Sequence, residues 1–297
     1  MNGILCIDKP VEYTSFDVVA RIRGMSKTKK VGHGGTLDPM ATGVLPVFLG
    51  TATKAVSLLP NNNKRYLATF QLGIKTDTLD SYGKILSKTK SYIKTEQLEQ
   101  ILPDFRGEIS QLPPMYSAVR VNGRRLYDFA REGKEIERTP RMVTVYQLEL
   151  TDFDEASQRG GLDISCSKGT YIRTIIQDIG ERLSVGGVMT GLVRTEACGF
   201  TLDDCLTLEQ VQERTQAGCL IQELIPVDRA FRDYPLLRLN EVQADKFRHG
   251  VKLDLNRIQY MDFPGMHRVY GPQGAFLGLA KLDCQKMELA IEKLFDV

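Results

Sequence analysis

The sequence predicts an α+β fold: a mixed β-sheet flanked by helices, followed by a small β-rich module. Two patterns and a length carry this prediction. Stretches that alternate apolar and polar residues, as half-buried strands do, are interleaved with stretches whose apolar residues recur at helical spacing. Past residue 233 the helical spacing gives way to short apolar runs punctuated by Gly and Pro. The chain has 297 residues, 42% of them hydrophobic and 26% charged, an ordinary globular composition with room for one large domain and a small one.

In order along the chain, GILCIDKP (3–10) reads as a short strand ended by proline. TSFDVVARIRGM (14–25) reads as a helix capped by Thr14 or Ser15, with Phe16, Val19, Ala20 and Ile22 as its apolar face. VLPVFLG (44–50) is a buried strand and KAVSLL (54–59) a helical segment. RYLATFQLG (65–73) alternates cleanly, placing Tyr66, Ala68, Phe70 and Leu72 on one face. KTEQLEQILPDF (94–105) is a helix, and MVTVYQLEL (142–150) and GLDISCS (161–167) are strands. KGTYIRTIIQDIGERL (168–183) is a helix with the stripe Ile172, Ile175, Ile176, Ile179 and Leu183. A boundary is expected near FRDYPLL (231–237), giving domains 1–233 and 234–297. Short strands are expected at GVKL (250–253) and within HRVYGPQGAFLGLAKL (267–282). Strands mixed with helices call for a mixed sheet backed by helices.

The composition excludes several classes of function. No apolar run approaches the about 20 residues a membrane-spanning helix needs. No cationic start leads into a long apolar core, so no export signal is expected. Six scattered cysteines form no CxxC pair, and three histidines are too few for an evident Cys/His zinc site. Free thiols in a reducing cytoplasm are the expectation. Net charge is only +2, but basic residues cluster. Arg21, Arg23, Lys27, Lys29 and Lys30 occur with no acid between them, and residues 115–141 hold seven basic residues against four acids. Local positive surface suits a polyanion such as nucleic acid, although solvated surface helices carry such clusters too.

The stretch GHGGTLDPMATGVLPVFLG (32–50) holds one carboxylate. Pro39 pushes Asp38 toward an extended conformation, in a loop that Gly32, Gly34 and Gly35 allow to fold tightly. An acid in such a turn often does no more than satisfy its own backbone amides; at the mouth of a buried strand it is also a candidate site residue.

Five segments, in order, resemble the TruB family of tRNA pseudouridine synthases: DKPVEYTSFDVV (8–19), GHGGTLDPMATGVLP (32–46), KRYLATFQLG (64–73), PPMYSAVRVNGRRLYDFAREG (113–133) and CSKGTYIRTIIQDIGERL (166–183), with GLVRTEACGF (191–200) following. Glu12 stands where the family usually has Gly. The resemblance implies a pseudouridine synthase catalytic domain with an RNA-gripping insertion at about 106–141, a PUA-like C-terminal RNA-binding domain, and a reaction at the T-loop uridine of tRNA position 55. It implies Asp38 as nucleophile and Arg173 as its ion-pair partner. Tyr66 would stack on the flipped uracil and help remove the C5 proton. Tyr171 and Leu192 would line the pocket, and His33 would fill the space left by the flipped base. Lys64, Arg65, Arg124 and Arg125 would meet the RNA.

The implied reaction is an isomerisation that moves no electrons, so no cofactor and no metal are expected, and one carboxylate nucleophile suffices. The expected partner is the T-arm stem-loop of tRNA, with no membrane and no obligatory protein. Two other readings stay open: a non-catalytic tRNA-folding factor, and a guide-RNA-dependent synthase.

Overall fold

The computed structural model describes residues 1–60, 62–90, 92–259 and 264–295. The body of the molecule consists of β1 (Gly3–Lys9), α1 (Ser15–Ser26), β2 (Val31–His33), β3 (Thr42–Leu49), β4 (Lys64–Leu72), β5 (Ile74–Thr76), β6 (Ile85–Lys88), α2 (Thr95–Ile101), β7 (Gly107–Gln111), β8 (Arg120–Val121), β9 (Arg124–Arg125), α3 (Leu126–Arg131), β10 (Arg141–Asp154), β11 (Arg159–Cys166), α4 (Ile172–Arg182), β12 (Gly187–Ala197), β13 (Phe200–Thr201), β14 (Cys205–Leu206) and α5 (Leu208–Gln216). A second group follows: β15 (Leu236–Arg238), α6 (Glu241–Arg248), β16 (Leu253–Asp254), β17 (Gly265–Tyr270), β18 (Phe276–Asp283) and β19 (Glu288–Leu294).

Ten strands of the body form one mixed sheet, in the order β14-β1-β3-β12-β4-β11-β10-β7, with β13 on β12 and β2 on β3. The β1–β14 and β3–β12 pairs are parallel and the others antiparallel. The alternation of β4 is realised: Tyr66, Ala68, Phe70 and Leu72 are buried between outward neighbours. Helix α4 lays Ile172, Ile175, Ile176 and Ile179 against that face, in one core with Phe70, Leu72 and Met189. Its close approach needs Gly180, where a Cβ would lie 2.2 Å from the carbonyl carbon of Gly186.

Three expectations are corrected. The buried face of α1 is Ser15, Val18, Val19, Ile22 and Ser26, and Phe16 is 65% exposed with Ala20 also outward. At about 100° per residue, positions 15, 18, 19, 22 and 26 form one stripe, and 16 and 20 fall outside it. Serine takes the inward place because its hydroxyl bonds the backbone of Leu37. The KAVSLL segment is the end of a 3₁₀ helix (Gly50–Ala55) followed by a turn closed by the bond from Leu58 N to Ala55 O. In GVKL only Leu253 enters a strand.

The smaller sheet has the order β15-β17-β18-β19-β16, with its own core around Leu237, Phe247, Val269 and Leu282. It meets the body through a shared cluster in which Tyr270, Phe276, Leu279 and Phe295 pack with Phe48, Phe200 and Phe231. The Phe231 ring lies 5.6 Å from that of Phe295 and 6.3 Å from that of Phe276.

Candidate active site

Asp38 lies in the loop between β2 and β3, and side chains from distant parts of the chain anchor that loop. Ser15 Oγ accepts from Leu37 N at 2.8 Å. The wholly buried Lys9 donates from Nζ to the carbonyls of Pro10 (2.8 Å), Tyr13 (2.6 Å) and Pro39 (3.3 Å). Arg194, also wholly buried, donates to the carbonyls of Val44 (2.8 Å), Thr36 (3.1 Å) and Gly35 (3.1 Å), bracketing Asp38 from both sides. Strand β12 runs so close to β3 here that a Cβ on Gly43, whose φ is +98°, would lie 2.3 Å from the Arg194 carbonyl oxygen. Only glycine fits there. Glu12 has φ +69°, the left-handed conformation that a glycine takes freely and that costs other residues about 1–2 kcal/mol; its amide donates to Pro39 O at 2.8 Å.

Arg173 fixes the carboxylate itself. Its Nη2 lies 2.8 Å from Asp38 Oδ2 and donates to Tyr116 O at 2.8 Å, and its Nη1 donates to Thr78 O at 2.9 Å. Asp80 Oδ2 is 3.7 Å from the same Nη1. The guanidinium side chain is 6% exposed and the Asp38 side chain 39%. A buried cation with its donors committed thus aims a carboxylate that still reaches open space.

That space is two adjoining cavities. One, of about 290 Å³, is lined by Asp38, Lys64, Tyr66, Tyr171, Arg173 and Leu192 with the loops at 35–37, 117–118 and 169–172. The other, of about 460 Å³, opens on the far side of Asp38 and Arg173, between the 12–14 turn, Asp80, Tyr82, Tyr116, Tyr127 and Arg131.

The structure therefore gathers six of the ten expected site residues around one cavity. His33 stands at the head of the loop, half-buried, its Nδ1 accepting from Gly35 N at 3.2 Å. Arg65 does not join them. It alternates to the opposite face from Tyr66 and forms a two-pronged ion pair with Asp163 (2.8 and 2.5 Å). Arg124 and Arg125 lie apart as well, after the Asn122–Gly123 turn that joins β8 to β9; Arg124 pairs with Glu132, and Arg125 donates to the Tyr127 hydroxyl.

Burial sets the protonation of the pocket. It pushes the Tyr66 phenol up to about 12, against the nearby Arg194 cation, so Tyr66 is neutral at neutral pH. Burial, reinforced by Arg194, lowers Lys64 and His33, and burial lowers Lys9 to about 8 while Asp38 opposes that shift. Among the described residues no group of three or more His, Cys, Asp or Glu side chains could hold a metal ion, and no helix is long and apolar enough to cross a membrane.

Two contributors escaped the sequence reading. Asp80 sits in a polar turn that sequence alone does not connect to Arg173. Arg194 carried a signal: it follows Leu192 by two residues on a strand, and so shares the inward phase.

Residues 23–172 match the family model described as TruB family pseudouridylate synthase (N terminal domain), and residues 173–232 match the tRNA pseudouridylate synthase B C-terminal domain. A relative from Clostridium perfringens, tRNA pseudouridine synthase B, is 41% identical over 297 residues, 99% of each chain. A protein of the same name from Caldanaerobacter subterraneus is 42% identical over 288 residues, 97% of each chain. A chain in the crystal structure of a Cbf5–Nop10–Gar1 complex is similar with a TM-score of 0.76 at 26% identity, covering 99% of this chain and 85% of that one.

Proposed function

The chain belongs to the TruB family of tRNA pseudouridine synthases, and on that premise we propose that it isomerises the T-loop uridine at tRNA position 55, with Asp38 as the nucleophile. The observation that carries this reading is the single open carboxylate, held 2.8 Å from a buried arginine at the edge of a cavity lined by Tyr66, Tyr171 and Leu192. In the reaction the N1–C1′ glycosidic bond breaks, the uracil turns, C5 bonds C1′, C5 loses a proton and N1 gains one. Nothing is oxidised or imported.

A uridine inside a folded loop must leave its stack to reach Asp38, at a cost of a few kcal/mol. Tyr66 offsets part of that cost by stacking on the base, a contact of about 1–3 kcal/mol. Its hydroxyl, neutral at pH 7, takes part in removing the C5 proton as a hydrogen-bonding group and not as a standing phenolate. Tyr171 and Leu192 close the pocket around the base, His33 fills the vacated place in the RNA, and Lys64 meets a phosphate. Residues 1–233 act as the catalytic domain. Residues 234–297 act as a PUA-like RNA-binding domain, near neutral in charge and so an aid to binding. The work takes place in the cytoplasm on tRNA alone, without guide RNA or partner protein.

The test is the purified chain on an unmodified tRNA transcript. Wild type forms pseudouridine at position 55. Asp38→Asn forms none and binds the transcript within about tenfold, about 1.4 kcal/mol, because phosphate contacts elsewhere carry the affinity. Turnover by the Asn variant would remove Asp38 from its role; binding without turnover by wild type would favour the folding-factor reading.

A further inference from the structure

A third basic run lies outside both the α1 cluster and the 115–141 segment. From Ser81 to Thr95 the chain carries Lys84, Lys88, Lys90 and Lys94 and no acid. This run builds β6, which among the described residues pairs with β5 alone, as a two-stranded ribbon separate from the main sheet. Residues 84–90 are all exposed, including the apolar Ile85 (48%) and Leu86 (64%). Among the described residues Lys84, Lys88 and Lys90 form no salt bridge; Lys90 lies over the Tyr92 ring, 5.2 Å from its centroid. Lys84 immediately precedes the strand, and the pairing is irregular at Leu86, between Ser87 opposite Lys75 and Ile85 opposite Thr76.

The ribbon is fixed to the active site. Lys84 N donates to Asp77 Oδ1 at 2.8 Å, and Asp77 N returns a bond to Lys84 O at 3.2 Å. Within the loop so closed, the Thr78 carbonyl accepts from Arg173, and Asp80 and Tyr82 line the larger cavity with Asp38. The lysines thus begin at the rim of the site and continue outward from it. A polynucleotide with one nucleotide at Asp38 carries its next phosphates over that rim. An acid-free lysine run is complementary to that backbone.

From this placement we infer that the β5–β6 ribbon is a second RNA grip, in which Lys84, Lys88 and Lys90 neutralise phosphates of the strand flanking the bound nucleotide. The inference rests on the reading that the substrate is tRNA. A protein partner seated on Ile85 and Leu86 is the competing occupant.

The test is the full chain with Lys84→Ala, Lys88→Ala and Lys90→Ala combined, titrated with an unmodified tRNA transcript at several salt concentrations. Lysine-reactive footprinting of wild type, with and without the transcript, accompanies it. Each phosphate contact contributes roughly 0.7–0.9 to the slope of log K against log salt, so the slope falls by about 2 to 3. The rate at saturating RNA stays within about twofold of wild type, since none of the three lines the Asp38 pocket. The transcript protects all three lysines. Superimposable salt lines, or a reduced slope without protection, would overturn the grip, the second by assigning the change to net charge. Wild type that neither binds nor modifies the transcript would bring down the functional reading itself, an outcome distinct from a wild type that works and a triple variant that matches it.

Discussion

The hairpin arm at 118–141 and the five-stranded module are attached to the same body in opposite ways. Between Ala118 and Met142 only Leu126 is buried. The arm's charged groups bond mostly to one another: Arg124 and Lys134 to Glu132, and Arg138 to Glu135. Arg124 also lies over Phe129, and Arg125 and Arg131 over Tyr127. Exposed ion pairs of this kind contribute about 0–1 kcal/mol each, so the arm adds little to folding and leaves most of its surface exposed. The module instead drives Tyr270, Phe276, Leu279 and Phe295 into the core that holds Phe48 and Phe231, and Tyr270 donates to Asp228 at 2.7 Å. Two segments that both look like RNA-binding additions in sequence are mechanically different: one is a free surface and the other is part of the structural core.

The largest effect that tests this contrast is loss of the module's aromatic side chains. Phe276→Ala or Phe295→Ala should each destabilise the chain by about 3–5 kcal/mol in urea unfolding, and a chain ending at 233 should show no cooperative transition. A truncated chain that unfolds with the wild-type midpoint would break the contrast.

Next in size is Tyr270→Phe, which removes a hydrogen bond to a carboxylate and should cost about 1.5–3 kcal/mol. Burial and Asp228 raise the Tyr270 phenol from 10.0 to about 12. Between those values the folded state holds a proton that the unfolded state has released. The stabilisation is therefore complete below pH 10 and is lost as pH rises through about 12. Urea midpoints at pH 8 and pH 11 should converge for the Phe variant more than for wild type.

The smallest effect on stability is expected in the arm. Arg124→Ala with Arg125→Ala should leave the urea midpoint within about 0.5 kcal/mol while reducing the salt slope of T-arm binding by about 1 to 2. A destabilised but fully RNA-competent double variant would reverse the assignment.

How much of this was legible in sequence depends on the range of the contacts. Period-two alternation placed Tyr66 inward, and helical spacing put Arg173 beside a buried stripe, because both are local consequences of backbone geometry. Phe16 was misplaced because an apolar residue was assumed to face inward, where Ser15 gains that position through hydrogen bonds to a residue 22 positions away. Arg194 was unread for a related reason. An arginine is expected at the surface, and only the tertiary arrangement supplies the three carbonyls that satisfy this one. The outward turn of Arg65 follows from the same alternation that places Tyr66 inward.

The anchors of the Asp38 loop also fix when the site can come into being. Ser15 reaches Leu37 across 22 residues, but the Arg173 bond to Thr78 spans 95 and the Arg194 bonds to Val44 and Thr36 span 150 and 158. Contacts of such separation close late, because long loops must be ordered before they are rewarded. During synthesis the aspartate, the tyrosine and the glycine turn leave the ribosome long before Arg173 and Arg194. A nascent chain shorter than about 194 residues thus carries the chemical group but cannot hold it in place. No emerging chain can hold that aspartate in place before the β12 strand has been laid between β3 and β4.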